Sequence, residues 1–309
     1  MSAVEVEGLS RGFGEVVALD GVSFSVGDGE LFGFIGPDGA GKTTLFRILT
    51  TLLAPDAGSA RVLGLDPVRD LWALRARIGY MPGRFSLYPD LSVEENLGFF
   101  AAVFGTTVEA QYPLIAPIYD QIAPFGDRRA GALSGGMKQK LALCCALVHR
   151  PDILFLDEPT TGVDAVSRRE FWDLLHDLRA GGLTIVVSTP YMDEADRCDR
   201  VALIQKGKIL EIDAPGAIGG RYEWPLVAVA ARDRRALLAA LRAEPEAYSV
   251  YPFGEVVHFT DRRGGADPEN IARALQERLR AAGLHDARAH PVRAGIEDVF
   301  MARMAAETP

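Results

Sequence analysis

Apolar and polar positions alternate through the N-terminal part of the chain. The segments VEVEGLS, VVALDGVSFSV and ELFGFIG carry this pattern, and glycine and aspartate turn residues separate them. From Lys42 the apolar spacing becomes that of a helix. The apolar face of this helix is predicted to comprise Leu45, Ile48, Leu49 and Leu52. The pattern therefore predicts three strands followed by a helix.

A mostly helical region is predicted over residues 92–150. It begins at SVEENLGFFAAVF, where Ser92 and Glu95 fit a capping box, and it ends at LALCCALVHRP. Beyond it, ILFLD, TIVVS and DRVALI are apolar strand segments, and SRREFWDLLHDLRAGG is a helix between the first two. Strands that are apolar on both faces indicate a parallel sheet covered by crossover helices, so the predicted fold class is α/β.

The texture of the sequence changes after the glycine- and proline-rich stretch APGAIGG, residues 214–220. The remaining segments predict the order strand, helix, strand, strand, helix, strand, with a helix at the end, which is typical of a small α+β ferredoxin-like domain. Ile271, Leu275 and Leu279 are expected to form the apolar stripe of its second helix. The predicted domains are a first domain at 1–222, with a helical subdomain at about 84–150, and a C-terminal accessory domain at 223–309.

Composition narrows the class of protein. A chain of 309 residues with 48% apolar residues can bury two cores, and a net charge of −9 argues against nucleic acid as a partner. The sequence has no uninterrupted apolar run of about 18 residues and no N-terminal signal pattern, so we expect a cytosolic chain. Cys144, Cys145 and Cys198 fit no metal or disulfide pattern and are expected to be buried thiols.

The segment GPDGAGKTT satisfies the phosphate-loop pattern G-x-x-x-x-G-K-[ST] between a predicted strand and a predicted helix. Glycines in such a loop let successive backbone N–H groups point inward and form a nest for an anion. Lys42 is expected to reach the β- and γ-phosphates, and the Thr43 hydroxyl is expected to bind Mg²⁺. The predicted nucleotide-binding loop comprises Gly36, Pro37, Asp38, Gly39, Ala40, Gly41, Lys42, Thr43 and Thr44.

An acidic pair follows the predicted strand ILFLD. Asp157 and Glu158 end this strand at the edge where open α/β sheets bind ligands. Asp157 suits a Mg²⁺ ligand, and Glu158 suits the residue that polarises an attacking water. Such a pair by itself is more often a solvated turn or a helix cap. Together with the phosphate loop it predicts nucleotide hydrolysis.

The segment LSGGMKQK, residues 133–140, resembles the signature of ABC-type ATPases. The other motifs occur in the order of that family. Phe13 resembles the aromatic residue that stacks on adenine, and the Asp164 of TTGVD resembles the D-loop aspartate near the dimer seam. The resemblance covers residues 4 to about 220 and implies a P-loop ABC ATPase domain with ATP and Mg²⁺ as cofactors. The signature residues, which in the family close over the partner's ATP, are Leu133, Ser134, Gly135, Gly136 and Met137.

Longer phrases resemble one group within this family. GYMPGRFSLYPDLSVEENL and DEPTTGVDAVSRREFW are similar to the ATPase subunits of ABC-2-type exporters, a group associated with drug efflux. PVRAGIEDVFMARM resembles the closing SLEDVF element of that group's C-terminal extension. The resemblance implies ATP hydrolysis coupled to export through separate multispanning permease subunits. It also implies a peripheral location on the inner face of the cell membrane.

Two positions depart from the family pattern. Gly83 stands where the family usually has a glutamine that senses Mg²⁺, and Pro190 stands where it usually has a histidine that holds the γ-phosphate. Proline offers neither a polar side chain nor a backbone N–H at this strand end. We therefore expect the chain's own site to bind ATP but to hydrolyse it slowly. This favours a heterodimer with a second ABC ATPase subunit, and a homodimer stays open.

Two other functions stay open at this point. One is a non-transport ABC ATPase, although the sequence has none of the coiled-coil inserts, zinc cysteines or tandem ATPase halves typical of that class. The other is a nearly inert ATP-binding regulatory subunit, which Gly83 and Pro190 support and Glu158 opposes.

Overall fold

The computed structural model describes residues 2–84 and 86–306. The chain divides between Ala214 and Pro215 into two compact units, and each unit has its own hydrophobic core. None of the helices in the described part of the chain has the length and hydropathy of a membrane span.

The first unit contains two sheets. Within its described residues the strands are β1 (Ser2–Phe13), β2 (Val16–Gly27), β3 (Leu31–Ile35), β4 (Ala57–Val62), β5 (Ile78–Met81), β6 (Ile153–Asp157), β7 (Thr184–Thr189), β8 (Arg200–Gln205) and β9 (Lys208–Asp213). An antiparallel sheet has the order β2-β1-β4, and a larger sheet has the order β5-β6-β7-β3-β8-β9. The larger sheet is parallel except for β9. This confirms the predicted α/β class with a β-rich start.

The larger sheet brings three candidate segments to one edge. Strands β3, β6 and β7 are buried along their whole length, as their apolar sequences predict. Ile35 pairs with Thr189 and Asp157 pairs with Ser188, so the carboxyl ends of the three strands lie side by side. The residues that follow these ends are the phosphate loop, Glu158 and Pro190.

Helices cover the larger sheet. In the described residues of the first unit they are α1 (Lys42–Leu49), α2 (Leu71–Arg75), α3 (Val93–Val103), α4 (Val108–Tyr119), α5 (Gly135–Leu147) and α6 (Ala165–Ala180). The predicted capping box is present: Ser92 Oγ accepts from Glu95 N–H, and the Glu95 carboxylate accepts from Ser92 N–H. The prediction for Leu52 is wrong, because α1 ends at Leu49. Thr51 then takes a left-handed φ of 68°, and Leu52 is 55% exposed.

A row of phenylalanine rings joins the two sheets to α1. Phe24 of β2 meets Phe34 of β3 edge-on at 4.9 Å, Phe34 meets Phe46 of α1 at 6.0 Å, and Phe46 meets Phe155 of β6 at 5.9 Å. Edge-to-face aromatic pairs are favourable beyond the area they bury. The row fixes α1, whose N-terminus carries the phosphate loop, against the sheet.

The second unit has the order predicted from the sequence. Its elements, over the described residues, are α7 (Pro215–Gly220), β10 (Leu226–Ala230), α8 (Arg234–Arg242), β11 (Ala247–Phe253), β12 (Val256–Asp261), α9 (Pro268–Ala281), β13 (Arg288–Pro291) and α10 (Ile296–Ala306). The antiparallel sheet has the order β11-β12-β10-β13, which is the ferredoxin-like arrangement. Ile271, Leu275 and Leu279 of α9 are buried, as expected.

Two features of this unit differ from or add to the prediction. The glycine- and proline-rich stretch at 215–220, for which no element was predicted, is a helix, and α7 packs against α10 with Ile218 fully buried. This packing puts the division of the chain before α7 instead of after residue 222. In α10, the buried Asp298 accepts hydrogen bonds from the Tyr251 hydroxyl and the Gly295 N–H, and its carboxylate lies 2.6 Å from His258 Nδ1.

Candidate functional site

A cavity of about 410 Å³ lies at the carboxyl end of β3, beside the start of α1. Residues 38–44 of the predicted phosphate loop line it, together with Phe13 and Glu158. Phe13 is half exposed, and the Arg11 guanidinium lies 5.0 Å from its ring. The structure therefore brings the predicted loop, the aromatic residue and one of the two carboxylates to the same cavity.

Three lining residues were missed by the sequence analysis. Val16, Val17 and Ala18 of β2 also line the cavity, and the two valines are 66% and 60% exposed. They lie in a segment that alternation predicted only as a strand. Their exposure on a strand end is the signal of a surface that contacts something other than the protein core.

Close backbone approaches explain two of the loop glycines. A Cβ on Gly36 would lie 2.1 Å from Ile204 O, so β8 leaves no room for a side chain there. Gly41 has a φ of 107°, and a Cβ on it would lie 2.4 Å from Ala18 O. Gly39 has a φ of 76° but meets no neighbour within 4 Å, so its backbone conformation alone favours glycine.

Lys42 is 3% exposed and has a charged and two neutral partners. Its ammonium donates to Gly36 O at 2.7 Å and to Pro37 O at 3.0 Å, and it lies 3.1 Å from Glu158 Oε1. A buried ammonium is stable only when such partners replace water. The two carbonyls hold the lysine along the loop, and the ion pair directs its charge toward the carboxylate.

The two carboxylates at the end of β6 have different surroundings. Asp157 is 2% exposed and its Oδ1 accepts from Ser188 Oγ at 2.6 Å. Burial and, secondarily, the charge of Asp157 raise the pKa of the neighbouring Tyr80 phenol to about 12. Ser188 is a fourth residue that the sequence analysis did not single out, because a serine within an apolar strand carries no signal of its own.

Glu158 has an uncommon backbone conformation. Its φ is 52°, and its N–H donates to Ser188 O at 3.0 Å and lies 3.1 Å from Ser188 Oγ. The left-handed region costs a residue other than glycine on the order of 1–2 kcal/mol, and such strain is common at functional sites. The strand partner holds Glu158 in this conformation, and the carboxylate faces the cavity and Lys42.

The two departures from the family pattern lie at this edge. A Cβ on Gly83 would be 3.0 Å from Asp157 O and 3.8 Å from Glu158 Cβ, so position 83 adjoins the acidic pair. Pro190 follows Thr189, whose carbonyl accepts from the N–H of Gly36 at 3.3 Å. Both residues thus stand beside the candidate site without providing a polar side chain.

The signature segment forms a helix N-terminus away from the cavity. Ser134 is the N-cap of α5, and its Oγ accepts from Met137 N–H at 3.3 Å. A Cβ on Gly136 would lie 2.7 Å from Ser167 Oγ, which shows how closely α5 approaches α6. Residues 133–137, all within the described part of the chain, do not line the cavity, and Ser134 and Gly135 are exposed.

Asp164 begins the neighbouring helix. It is the N-cap of α6, and its Oδ1 accepts from the N–H groups of Val166 and Ser167 at 3.1 and 3.0 Å. The hydrogen bond from Ser167 N–H is the main cause that lowers the pKa of the Asp164 carboxyl. Asp164 and the signature residues therefore lie on neighbouring helix starts, outside the cavity that holds Lys42.

Comparison with known proteins identifies the family. Residues 19–161 match the family described as ABC transporter. The Nod factor export ATP-binding protein I of Burkholderia orbicola is 36% identical over 305 residues, which are 97% of this chain and 96% of that protein. The daunorubicin resistance ATP-binding protein DrrA3 of Streptomyces coeruleorubidus is 33% identical over 97% of this chain and 95% of its own length.

A further relative is longer than this chain. The probable multidrug ABC transporter ATP-binding protein YbhF of Escherichia coli is 43% identical over 216 residues, which are 69% of this chain but only 37% of that protein. Among solved structures, cbiO1 of Clostridium perfringens, part of the ABC transporter complex cbiONQ, is similar with a TM-score of 0.64 and 26% identity. That match covers 71% of this chain and 91% of cbiO1.

These similarities agree with the fold and with the order of the motifs. The ABC ATPase cassette predicted from the sequence is confirmed, and ATP-binding proteins of this family are ATPases coupled to transport. With a relative that matches along almost the whole chain, the conclusion is direct: this chain belongs to the ATP-binding proteins of the ABC transporter family.

Proposed function

We propose that this chain is the ATP-binding and ATP-hydrolysing subunit of an ABC-2-type exporter. The observation that carries the proposal is the buried Lys42 at the floor of a glycine loop, 3.1 Å from the carboxylate of Glu158. Closure of an ATP-bound dimer drives export through separate membrane subunits. Relatives named for multidrug transport, Nod factor export and daunorubicin resistance support drugs or other hydrophobic compounds as the exported substrates.

The residues present fit Mg²⁺ as a cofactor. This ion prefers oxygen ligands and is commonly bound through one or two carboxylates together with substrate phosphates. Thr43 lines the cavity, and Asp157 is buried with its carboxylate oriented by Ser188. We assign Thr43 and Asp157 as the Mg²⁺ ligands. Held by these two residues, Mg²⁺ would supply positive charge to neutralise the β- and γ-phosphates.

The chain's own residues have separate roles in the reaction. The loop N–H groups of residues 36–44 and the Lys42 ammonium bind the phosphates, while Phe13 stacks on adenine. Lys42 forms an ion pair with Glu158. A bound γ-phosphate shares the Lys42 ammonium, and this weakens the ion pair and leaves the Glu158 carboxylate to orient water. Glu158 is the catalytic residue in this scheme, and it accepts a proton from the attacking water.

Hydrolysis at this site is slow in the proposed scheme. Gly83 and Pro190 adjoin the acidic pair and the phosphate loop, where a polar side chain would hold the metal or the γ-phosphate. Loss of one positioned group of this kind costs about 10²- to 10⁴-fold in rate. The chain therefore clamps ATP and contributes less to turnover than a complete site does.

The signature residues act on a partner's nucleotide. Leu133 to Met137 lie outside the chain's own cavity, and the exposed N-terminus of α5 offers backbone N–H groups and a positive dipole end to a phosphate. Asp164 stands at the start of the adjacent helix and lies near the dimer seam. A second ABC ATPase subunit with the missing glutamine and histidine completes a heterodimer. In this heterodimer the second subunit carries most of the ATP hydrolysis, and this chain mainly binds ATP.

A surface groove suits the membrane subunit. It has a volume of about 480 Å³, and its lining includes Leu52, Trp72, Val103 and Phe104, which are exposed. We propose that a helix of the permease docks here and beside residues 83–88, of which Phe85 lies outside the described residues. Docking places the chain on the cytoplasmic face of the cell membrane.

The experiment is an ATPase assay of the purified chain. The chain alone is expected to turn over slowly, and Pro190→His, with or without Gly83→Gln, is expected to raise kcat at least about 10-fold. Glu158→Gln in the Pro190→His chain removes this gain. Fast turnover of the unmodified homodimer contradicts the proposal that this chain hydrolyses ATP slowly and depends on a second ATPase subunit.

A nearly inert regulatory subunit is the second candidate, because Gly83 and Pro190 both lack polar side chains. The assembled complex separates the two functions. In the exporter scheme, Glu158→Gln lowers the ATPase rate of the complex of chain, second ATPase and permease. An unchanged rate favours the regulatory subunit. Co-purification with a multispanning membrane protein tests the permease itself.

A further inference from the structure

A buried carboxylate lies outside the cavity and has no role in the scheme above. Glu194 belongs to a short 3-10 helix, Met192–Arg197, between β7 and β8, and is 3% exposed. Leaving a carboxylate unpaired in the interior is costly, so its partners define what it does. Those partners come from three different segments of the first unit.

The two carboxylate oxygens are used differently. Oε2 accepts from Thr189 Oγ1 at 2.6 Å and from Thr160 Oγ1 at 3.1 Å, and both threonines are buried. Oε1 accepts from Arg168 Nε at 3.1 Å. One oxygen thus bridges the loop after β6 and the end of β7, and the other binds α6.

Each bound segment carries part of the proposed catalytic machinery. Thr160 stands two residues after Glu158, and Thr189 directly precedes Pro190 and accepts from the first glycine of the phosphate loop. Arg168 lies one helical turn after Asp164, and its N–H donates to Asp164 O at 2.9 Å. Glu194 is therefore the common partner of the Glu158 loop, the strand end at position 190 and the D-loop helix.

Packing alone does not require a carboxylate here. Replacing both members of a buried ion pair by apolar side chains of similar volume is often neutral for stability. Arg168 also has a solvent-side partner, because Asp193, whose side chain is 75% exposed, lies 3.1 Å from its Nη2. What only a carboxylate provides is three hydrogen bonds accepted at once, which fixes the spacing of the three segments.

We propose that Glu194 is a positioning residue for ATP hydrolysis. It holds the Glu158 loop and the end of β7 at a fixed separation and ties both to the helix that follows Asp164. The inference rests on the proposed function of Glu158 as the group that orients water. It adds that the backbone at position 190 is still held in place through Thr189, although the residue at 190 is proline.

The test compares Glu194→Gln with the matched control Asp193→Asn. Glutamine keeps the size of the side chain, but its NH₂ group must face either the two threonines or the Arg168 N–H, so it cannot accept all three bonds. Asp193→Asn removes the neighbouring exposed charge and leaves the buried one. Both changes are made in the full chain, with and without Pro190→His, and MgATP hydrolysis is measured.

Glu194→Gln is expected to lower kcat about 10-fold, since small misplacements of catalytic groups cost that much or more. KM and the Kd for MgATP stay within about 2-fold, and Asp193→Asn leaves all three constants within about 2-fold. Equal kcat values for the two variants overturn the proposal, and so does a loss confined to KM or Kd. If Pro190→His alone gives no gain, the proposed cause of slow turnover fails, while the comparison in the unmodified chain still decides the role of Glu194.

A second measurement does not depend on turnover. Hydrogen–deuterium exchange with MgATP is expected to rise in Glu194→Gln over residues 158–164 and 188–191, and to stay unchanged there in Asp193→Asn. Unchanged exchange in both variants overturns the proposal. If Glu194→Gln does not fold, Thr160→Val gives the same test, because it removes one donor and keeps the carboxylate. A drop in kcat smaller than about 10-fold supports the proposal, and an unchanged kcat contradicts it.

Discussion

At the scale of single residues, Lys42 combines two tasks. Its ammonium binds the carbonyls of Gly36 and Pro37, which shapes the loop, and it stands 3.1 Å from Glu158 at the cavity. Charged hydrogen bonds are about twice as strong as neutral ones, so this ammonium is expected to contribute more to binding a triphosphate than a neutral hydrogen-bonding group does.

We predict that Lys42→Ala weakens MgATP binding at least about 100-fold, which corresponds to the loss of one or two charged hydrogen bonds. Calorimetric titration of the full chain with MgATP measures the change. Lys208→Ala is the control, because the Lys208 side chain is 64% exposed and its ion pair with Asp20 lies at the surface. Unaltered heat of binding in Lys42→Ala contradicts the assignment of the site.

Local patterns predicted some residues well and others not at all. The glycines and lysine of the phosphate loop are visible because their spacing along the chain encodes their function. The crowding of Gly36 against Ile204 O, and the bonds from Ser188 and to Glu194, join segments far apart in sequence. Alternation and helical spacing carry no information on such contacts.

At the scale of elements, two helices have a serine N-cap, but the two serines differ in their proposed function. Ser92 caps α3 and Ser134 caps α5, and each side chain accepts a hydrogen bond from a backbone N–H of the first turn. A serine N-cap contributes about 1 kcal/mol to stability. The first cap lies outside the signature, whereas the second belongs to it.

We predict that Ser92→Ala and Ser134→Ala each lower the free energy of unfolding by about 1 kcal/mol. Only Ser134→Ala is expected also to lower kcat, by about 100-fold, because the proposed scheme assigns its hydroxyl as a donor to the partner's γ-phosphate. Urea unfolding and ATPase assays of both variants in the Pro190→His chain measure the two effects. Equal kcat in the two variants contradicts the role of the signature.

Elements with weak sequence patterns escaped prediction. Strands β4 and β9 lie in short mixed segments, and each is fixed by pairing with a neighbouring strand, β1 and β8 respectively. Helix α7 has the sequence PGAIGG, whose glycines disfavour a helix, and it forms because Ile218 is buried in packing against α10. Tertiary contacts override local preference in all three.

At the scale of the whole molecule, each unit buries its own core. The first core joins both sheets to α1, and the second joins the ferredoxin-like sheet to α8 and α9. A unit with its own core is able to fold by itself. The residues proposed to bind nucleotide all belong to the first unit.

We predict that a fragment ending at Ala214 folds and binds MgATP with a Kd within about 3-fold of that of the full chain. A fragment ending at Tyr222 instead keeps α7 without α10 and exposes Ile218, so it is expected to associate in sedimentation experiments. Loss of MgATP binding in the shorter fragment contradicts the independence of the first unit.

The three cysteines are buried, and burial is the main cause that raises the pKa of each thiol, at Cys144, Cys145 and Cys198. Thiolates, not thiols, react with alkylating probes, so the native chain resists labelling. A single Val166→Cys change, on an exposed residue two positions after Asp164, therefore supplies a unique attachment point. Spin labels placed there can follow the approach of two subunits while every native cysteine stays in place.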